Sequence, residues 1–302
     1  CGSGNDQFDH PYGVAVGSDG KIYVADQNNH RVQMFDSNRT YLATLGVTGV
    51  PGSDNAHFAH PRDVDVDDAG NIYVADQDNH RVQIFDSNRA YIRTIGESGV
   101  AGNDFGHLDS PTAVTVDAEG RIYVADGWGY RVQVFDSTGR YLTTVGGGWG
   151  GGNGGFRDAE GVAVDAAGNL YVAERENHRI QKFAPGVPGW VQTNINGFGD
   201  GNNWWVSTLS SFNGHLYAGT YNNGGAEVWR MGTEWTAVST GGFGIPQNTG
   251  IGDLIEFNGF LYAGTENYGT GTEVWRSSDG LSWTQVVSQG FGSPSTNIDT
   301  TY

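Results

Sequence analysis

A short signature returns at near-constant spacing along the first part of the chain and limits its fold more than any other feature. Tyr-Val-Ala is followed by an acid at Asp26, Asp76, Asp126 and Glu174, so the copies stand 50, 50 and 48 residues apart. A period in this range belongs to propellers and arrays, where one supersecondary unit is repeated and stacked. In the first copy, "GVAVG", "KIYVAD", "RVQMFD" and "YLATLG" are short runs rich in β-branched and aromatic residues, separated by the turn-forming "SDG", "QNNH" and "SNRT". Each copy therefore predicts a four-stranded antiparallel meander. A lone sheet of this kind exposes apolar groups on both faces, and packing against neighbours around an axis removes that exposure. The fold class expected is all-β, and the architecture a β-propeller.

The string "HPYGVAV", "DG", "IYVAD", "NHRVQ", "FD" resembles the NHL repeat, and the resemblance covers residues 1 to about 185 in four copies. It implies a propeller fold, because the shared residues are those that build the blade. After "APGVPGW" a second repeat type begins: "FNGHLYAGTYNNGGAEVWR" from Phe212 and "FNGFLYAGTENYGTGTEVWR" from Phe257, with Tyr217 and Tyr262 45 residues apart. Tyr171 to Tyr217 is 46 residues, so the rhythm passes the change of repeat type. Residues 186–288 are accordingly read as two further blades in the same ring, with "PGVPG" as a hinge to a second array in the alternative reading. "RSSDGLSWTQVV" from Arg276 resembles the Asp-box of sialidase-like propellers, one residue short, where the motif is a structural turn. The expectation is about six blades, four NHL-like and two of the second type. Residues 289–302 then start another blade, close the ring, or supply a strand to a second molecule, since an unpaired first strand is an open edge.

Charge excludes several partners. The formal net charge is −18, and the only lysines are Lys21 and Lys182, so the cationic footprint of a nucleic-acid binder is missing. No apolar run approaches the roughly 20 residues of a transmembrane helix. The single cysteine, Cys1, has no internal disulfide partner. "CGSG" resembles the start of a mature bacterial lipoprotein, with Cys1 as the lipidated residue; a cut through a longer repeat chain is the other reading. Asn38-Arg39-Thr40 is an N-glycosylation sequon.

The repeats also sort the residues that could carry chemistry. His30, His80 and His178 occupy one repeat slot, shared with Tyr130, and are separated by whole blades; a metal needs its ligands in one coordination sphere, so they are read as structural. The pairs Asp26 and Arg31, Asp76 and Arg81, Asp126 and Arg131, and Glu174 and Arg179 face each other across four-residue connections, which predicts a charged hydrogen bond within each hairpin. NHL-like propellers include a peptidyl-hydroxyglycine amidating lyase whose zinc histidines follow a proline or similar residue before the innermost strands. The matching positions here are Tyr12, Arg62, Thr112 and Glu160, none of them histidine. They form instead a mixed set at the mouth of the channel, suited to a small ligand.

"RDVDVDDAGN" places Asp63 and Asp65 on one face of a first strand. Asp65 stands where the other repeats have Ala15, Thr115 and Ala163, and a carboxylate there needs a partner, an ion or water. Calcium is the cofactor this pair would admit, as in lactonase-type propellers. Trp128, Trp149, Trp204 and Trp205 fall in rim connections, where aromatics stack on carbohydrate, grip a protein or plug gaps between blades.

Taken together, these features favour a non-enzymatic, extracellular or cell-surface propeller that presents one loop-rich face to a protein or carbohydrate ligand. Two alternatives remain open: a calcium- or zinc-dependent lyase or lactonase-type hydrolase, and a structural subunit that self-assembles through residues 289–302.

Overall fold

A computed structural model describes residues 2–152, 154–184, 190–192, 198, 200, 202–267 and 271–288. The chain is all-β. Three successive meanders share one plan: β1 (Pro11–Val16), β2 (Ile22–Asp26), β3 (Arg31–Phe35) and β4 (Tyr41–Gly46); β5 (Pro61–Val66), β6 (Ile72–Asp76), β7 (Arg81–Phe85) and β8 (Tyr91–Ile95); and β9 (Pro111–Val116), β10 (Ile122–Asp126), β11 (Arg131–Phe135) and β12 (Tyr141–Val145). Each is a four-stranded antiparallel sheet in sequence order. A fourth sheet follows the same order through β13 (Ala159–Val164), β14 (Leu170–Glu174), β15 (Arg179–Phe183) and β16 (Trp190–Gln192). These are the blades of a propeller arrangement.

The chain divides into two compact units, residues 1–166 and 167–302, and the division falls inside the fourth sheet. In the first unit the innermost strands β1, β5, β9 and β13 lie side by side. The core lies between blades. Tyr23, Ala25, Val32 and Met34 of one sheet pack against Val64, Ile72, Val74 and Phe85 of the next. Tyr73, Ala75, Val82 and Ile84 then meet Val114, Ile122, Val124 and Phe135. Both faces of a middle strand are covered, which is why β6 and β10 are buried at all five positions and their sequence lacks the apolar-polar alternation of a half-exposed strand.

The second unit adds two meanders of the other repeat type: β17 (Asn203–Phe212), β18 (His215–Asn222), β19 (Val228–Met231) and β20 (Trp235–Ser239), then β21 (Gly250–Phe257), β22 (Phe260–Glu266), β23 (Val274–Ser277) and β24 (Thr284–Val287). One pairing, Tyr221 with Gly250, joins them into a curled eight-stranded sheet. In the turn between β23 and β24, Asp279 Oδ1 accepts the Leu281 and Ser282 N–H groups and Ser277 Oγ accepts that of Gly280. These backbone donors hold the Asp279 carboxyl far below the usual range. The Asp-box-like segment is thus a self-satisfied turn. Among the described residues no helix is long and apolar enough to cross a membrane. Cys1, the "PGVPG" segment and residues 289–302 lie outside the described residues.

Candidate functional site

The repeated acid and arginine are directly opposed at the end of their hairpin: Asp26 pairs with Arg31, Asp76 with Arg81, Asp126 with Arg131 and Glu174 with Arg179. Arginine Nε donates to the carboxylate at 2.7, 2.8, 2.7 and 2.6 Å, and all four acids are fully buried. The remaining guanidinium donors do something the sequence did not disclose. Arg31 donates to the carbonyls of Ser3, Gly4 and Gln7, and Arg81 to those of Ser53, Asp54 and His57. Arg131 does the same with Gly102, Asn103 and His107. The other carboxylate oxygen accepts a loop N–H, from Asp9, Ala59 and Asp109 in turn. In the first three blades the pair therefore fastens the loop that enters its blade, using charged hydrogen bonds in a dry setting.

The histidines also serve the frame. His30 and His80 cap a 3₁₀ turn in the left-handed conformation, with φ of 54° in both. His30 Nδ1 accepts the backbone N–H of His60 at 3.1 Å, and His80 Nδ1 that of Ser110 at 3.1 Å, so each ring ties one blade to the next. The donor residues His60 and Ser110 are left-handed as well. The His30 and His60 rings meet edge to face, with centroids 4.5 Å apart. Burial, and then the neighbouring His60, lower the pKa of His30. Among the described residues no three His, Cys, Asp or Glu side chains converge on a metal position.

At the heads of the inner strands the structure brings together three of the four residues singled out. Arg62 and Glu160, from β5 and β13, form an ion pair, and the Arg62 guanidinium lies 4.6 Å from the centre of the Tyr12 ring of β1. Both charged side chains are nearly buried, at 11% and 12% exposure. Burial works against the charge on Arg62, but Glu160, Tyr12 and nearby carboxylates hold its pKa above the ordinary value. Thr112 stands apart: its hydroxyl donates to the carbonyls of Ala125 and Ala159.

Asp63 and Asp65 act as spacers between inner strands. Asp63 accepts the N–H groups of Val64 and Val114, both at 2.9 Å, and Asp65 those of Val66 and Val116, both at 2.8 Å. Each carboxylate thus takes one amide from its own strand and one from β9. Asp65 is pushed up to about 6 by burial, against the pull of these amides and of Thr115. Gly13, at the matching level of β1, has room for no side chain, because a Cβ there would stand 2.6 Å from Asp63 Cα.

These geometries are repeated, and so is the sequence pattern behind them. The NHL repeat matches the chain at residues 8–35, 58–85, 108–135 and 156–183. The chain carries four NHL repeats. The matched stretches run from Phe8, Phe58, Leu108 and Phe156 to the end of the third strand, and so contain the acid and the arginine of each NHL blade. No curated protein sequence matches the chain. Solved structures with similar folds include a streptogramin B lyase (13% identity, 91% of this chain and 82% of that chain, TM-score 0.65). A gluconolactonase from Xanthomonas campestris is also similar (13% identity, 85% and 84%, TM-score 0.61). A third is the nidogen/laminin complex (16% identity, 73% and 75%, TM-score 0.55). At these identities the likeness concerns the fold.

Beyond the NHL blades, the second repeat type uses a different fastening. Asn203 Nδ2 and Trp229 Nε1 both donate to Glu227 Oε2, at 2.7 and 2.9 Å; Asn248 and Trp275 repeat this on Glu273 at 2.9 and 3.2 Å. The Phe198 ring stacks on Trp229 and the Phe243 ring on Trp275, both at 4.8 Å. Reading the sequence did not single out these acids. The available signal was the recurrence of Glu-x-Trp, at Glu227 and Glu273, after an asparagine 24 or 25 residues earlier.

Proposed function

We propose that this chain is a non-enzymatic, extracellular binding module, and that its loop-rich rim, rather than the heads of its inner strands, meets the partner. The observation that carries this reading is the use of the inner-strand residues: Arg62 is engaged by Glu160 and Tyr12, Thr112 by two carbonyls, and Asp63 and Asp65 by four backbone amides. Groups that could bind a metal or transfer a proton hold strands together instead. The loops of the first unit, by contrast, expose Phe105, Trp128 and Trp149, whereas Trp204 and Trp205 lie within β17 and not in a connection. Aromatic side chains at exposed loop positions are a common basis of recognition. The nidogen/laminin complex shows a similar fold within a protein complex, and the Asn38 sequon lies on an exposed turn, as an extracellular surface would have it.

A second reading, a metal-dependent lyase or lactonase-type hydrolase, draws support from the lyase and gluconolactonase of similar fold. Calcium at Asp63 and Asp65 would belong to it. Metal analysis of the purified full chain, followed by thermal melts with and without a chelator, separates the two. The binding reading expects less than stoichiometric divalent metal and an unchanged melt. A stoichiometric ion whose removal lowers the melting point, and whose loss follows Asp65→Ala, would transfer the conclusion to the enzyme.

A further inference from the structure

We propose that the rim of the third NHL blade carries a platform for neutral polysaccharide, built on Trp128 and Trp149, on whose indole faces pyranose rings stack. The proposal deepens the binding reading and rests on it. Its starting point is a departure from the repeat. In the first two blades the tip of the hairpin between the second and third strands is Asn28 or Asp78, and its side chain bonds to His10 or His60, both at 2.6 Å. The third blade keeps the same backbone: Trp128 N–H donates to the Asp109 carbonyl at 3.1 Å, as Asn28 does to Asp9 and Asp78 to Ala59. The tip residue differs, and Gly127 and Gly129 flank it where the first two blades have glutamine and asparagine. Ser110 replaces the histidine, and the indole projects with 65% of its surface exposed.

The second departure is in the loop that leaves the same blade. Gly49 and Gly99 occupy one loop position in the first two blades, and in each case the glycine N–H donates to the hairpin tip, at the Asn29 or Asn79 carbonyl. In the third blade that loop is two residues shorter, and Trp149, 61% exposed, pairs with Phe156 as Ala101 pairs with Leu108 in the second blade. This tryptophan is held in position. Gly150 N–H donates to the carbonyl of the buried Phe156, Phe156 N–H donates to that of Gly148, and the Arg157 guanidinium lies 4.1 Å from the indole centre. Arginine thus orients the ring from one side. Around it, Gly147, Gly148, Gly150 and Gly152 have no atom within 4 Å of where a Cβ would stand. Both indoles are more than half exposed, and one blade supplies them where its siblings use asparagine or aspartate at the hairpin tip and, in the second blade, Ala101 in the loop.

The surroundings select the ligand. A protein hot spot is a large side chain ringed by further apolar contacts that exclude water. Here the neighbours are glycines, which bring backbone donors and acceptors and no apolar rim. Nucleobases also stack on aromatic residues, but a chain of net charge −18 repels their phosphates. A neutral sugar ring has what is left: a flat C–H face for the indole, and hydroxyls for the glycine backbone and Arg157.

The test is affinity electrophoresis of the full chain through gels containing soluble β-glucan, xylan, mannan or galactan, with titration of the retarding polymer by tryptophan fluorescence. Trp128→Ala and Trp149→Ala should each weaken binding by about tenfold or more while the melting point is unchanged, and Trp204→Ala should bind as the parent does. Retardation that survives both rim substitutions would overturn the platform while leaving a binding module. No retardation by any polymer would overturn the saccharide assignment; the binding reading would then fall only if the metal analysis also gave a stoichiometric ion. Capture of a protein partner lost in Trp128→Ala, with no polysaccharide bound, would likewise overturn it.

Discussion

The fastening of each NHL blade can be tested at Arg81, where every contact is known. Arg81→Met keeps the length and apolar stem of the side chain but removes the charge and five hydrogen bonds: one to Asp76, three to the carbonyls of Ser53, Asp54 and His57, and one to Ser98 Oγ. Breaking a buried pair by removing one partner costs about 3–5 kcal/mol, because the remaining charge loses its compensation. The loop carbonyls add less, since the loop borders solvent and water can replace the guanidinium. A loss of about 4 kcal/mol is expected, a large share of the roughly 5–15 kcal/mol that stabilises an ordinary domain. Urea unfolding of the full chain at pH 7 measures it as a lower midpoint at constant slope. Hydrogen exchange should locate it, with amides of residues 52–58 losing protection first.

Two companion measurements make the reasoning refutable. Asp76→Asn on the Arg81→Met background removes the stranded charge and keeps an acceptor for the Ala59 N–H, so the double variant should regain about 2 kcal/mol. The deficit of Arg81→Met should also shrink as the pH falls from 7 to 5. Burial already raises the Asp76 carboxyl to about 6 in the presence of Arg81, and without Arg81 it takes up a proton more readily still. A loss below about 1 kcal/mol for Arg81→Met, or a double variant no more stable than the single, would show that the pair is not the fastening described.

Three further outcomes are expected. Gly280→Ala should destabilise by about 1–3 kcal/mol in thermal melts, because its Cβ would overlap Tyr217 Oη and the residue sits at φ +72°. Asp65 has a folded pKa of about 6, against roughly 4 unfolded, so the fold binds the extra proton between those values and stability from this group falls as pH rises through the window. Asp65→Thr should flatten that fall, by about 2 kcal/mol at most since the group keeps partial exposure, in urea midpoints taken every half pH unit. His30 has the opposite sign: its pKa is lowered in the fold, so the unfolded chain protonates first and stability drops as pH falls below about 6.5. His30→Gln should remove that drop, read as the difference between unfolding free energies at pH 5.5 and 7.5.

The blades were legible because their determinants are local. Asp26 and Arg31 are separated by one tight turn, so their opposition follows from the hairpin alone, and its recurrence every 50 residues or so implies stacking. What the pair holds was not legible. The acceptors of Arg31 are the carbonyls of Ser3, Gly4 and Gln7, and a backbone carbonyl has no sequence signature. The left-handed backbone at His30 and His60 was hidden in the same way: the repeat marks His30 as structural, but not that its Nδ1 accepts an amide from the next blade.

Departures from the repeat were visible in the sequence, but their meaning depends on what stands across from them. Asp65 announced itself by replacing alanine and threonine, and only the alignment of β5 with β9 shows that the amides of Val66 and Val116 satisfy it. Arg62 and Glu160 are 98 residues apart, and their meeting needs the curvature of the blades. Trp128 and Trp149 are departures of another kind. Asp65 and Arg62 are irregular side chains that the fold turns inward and satisfies, so their irregularity is absorbed by packing. The two indoles remain outside, and at the hairpin tip Trp128 keeps the backbone hydrogen bond of its counterparts. An irregular residue that the fold does not absorb is therefore the better guide to recognition in a repeat protein, and it points to the third blade.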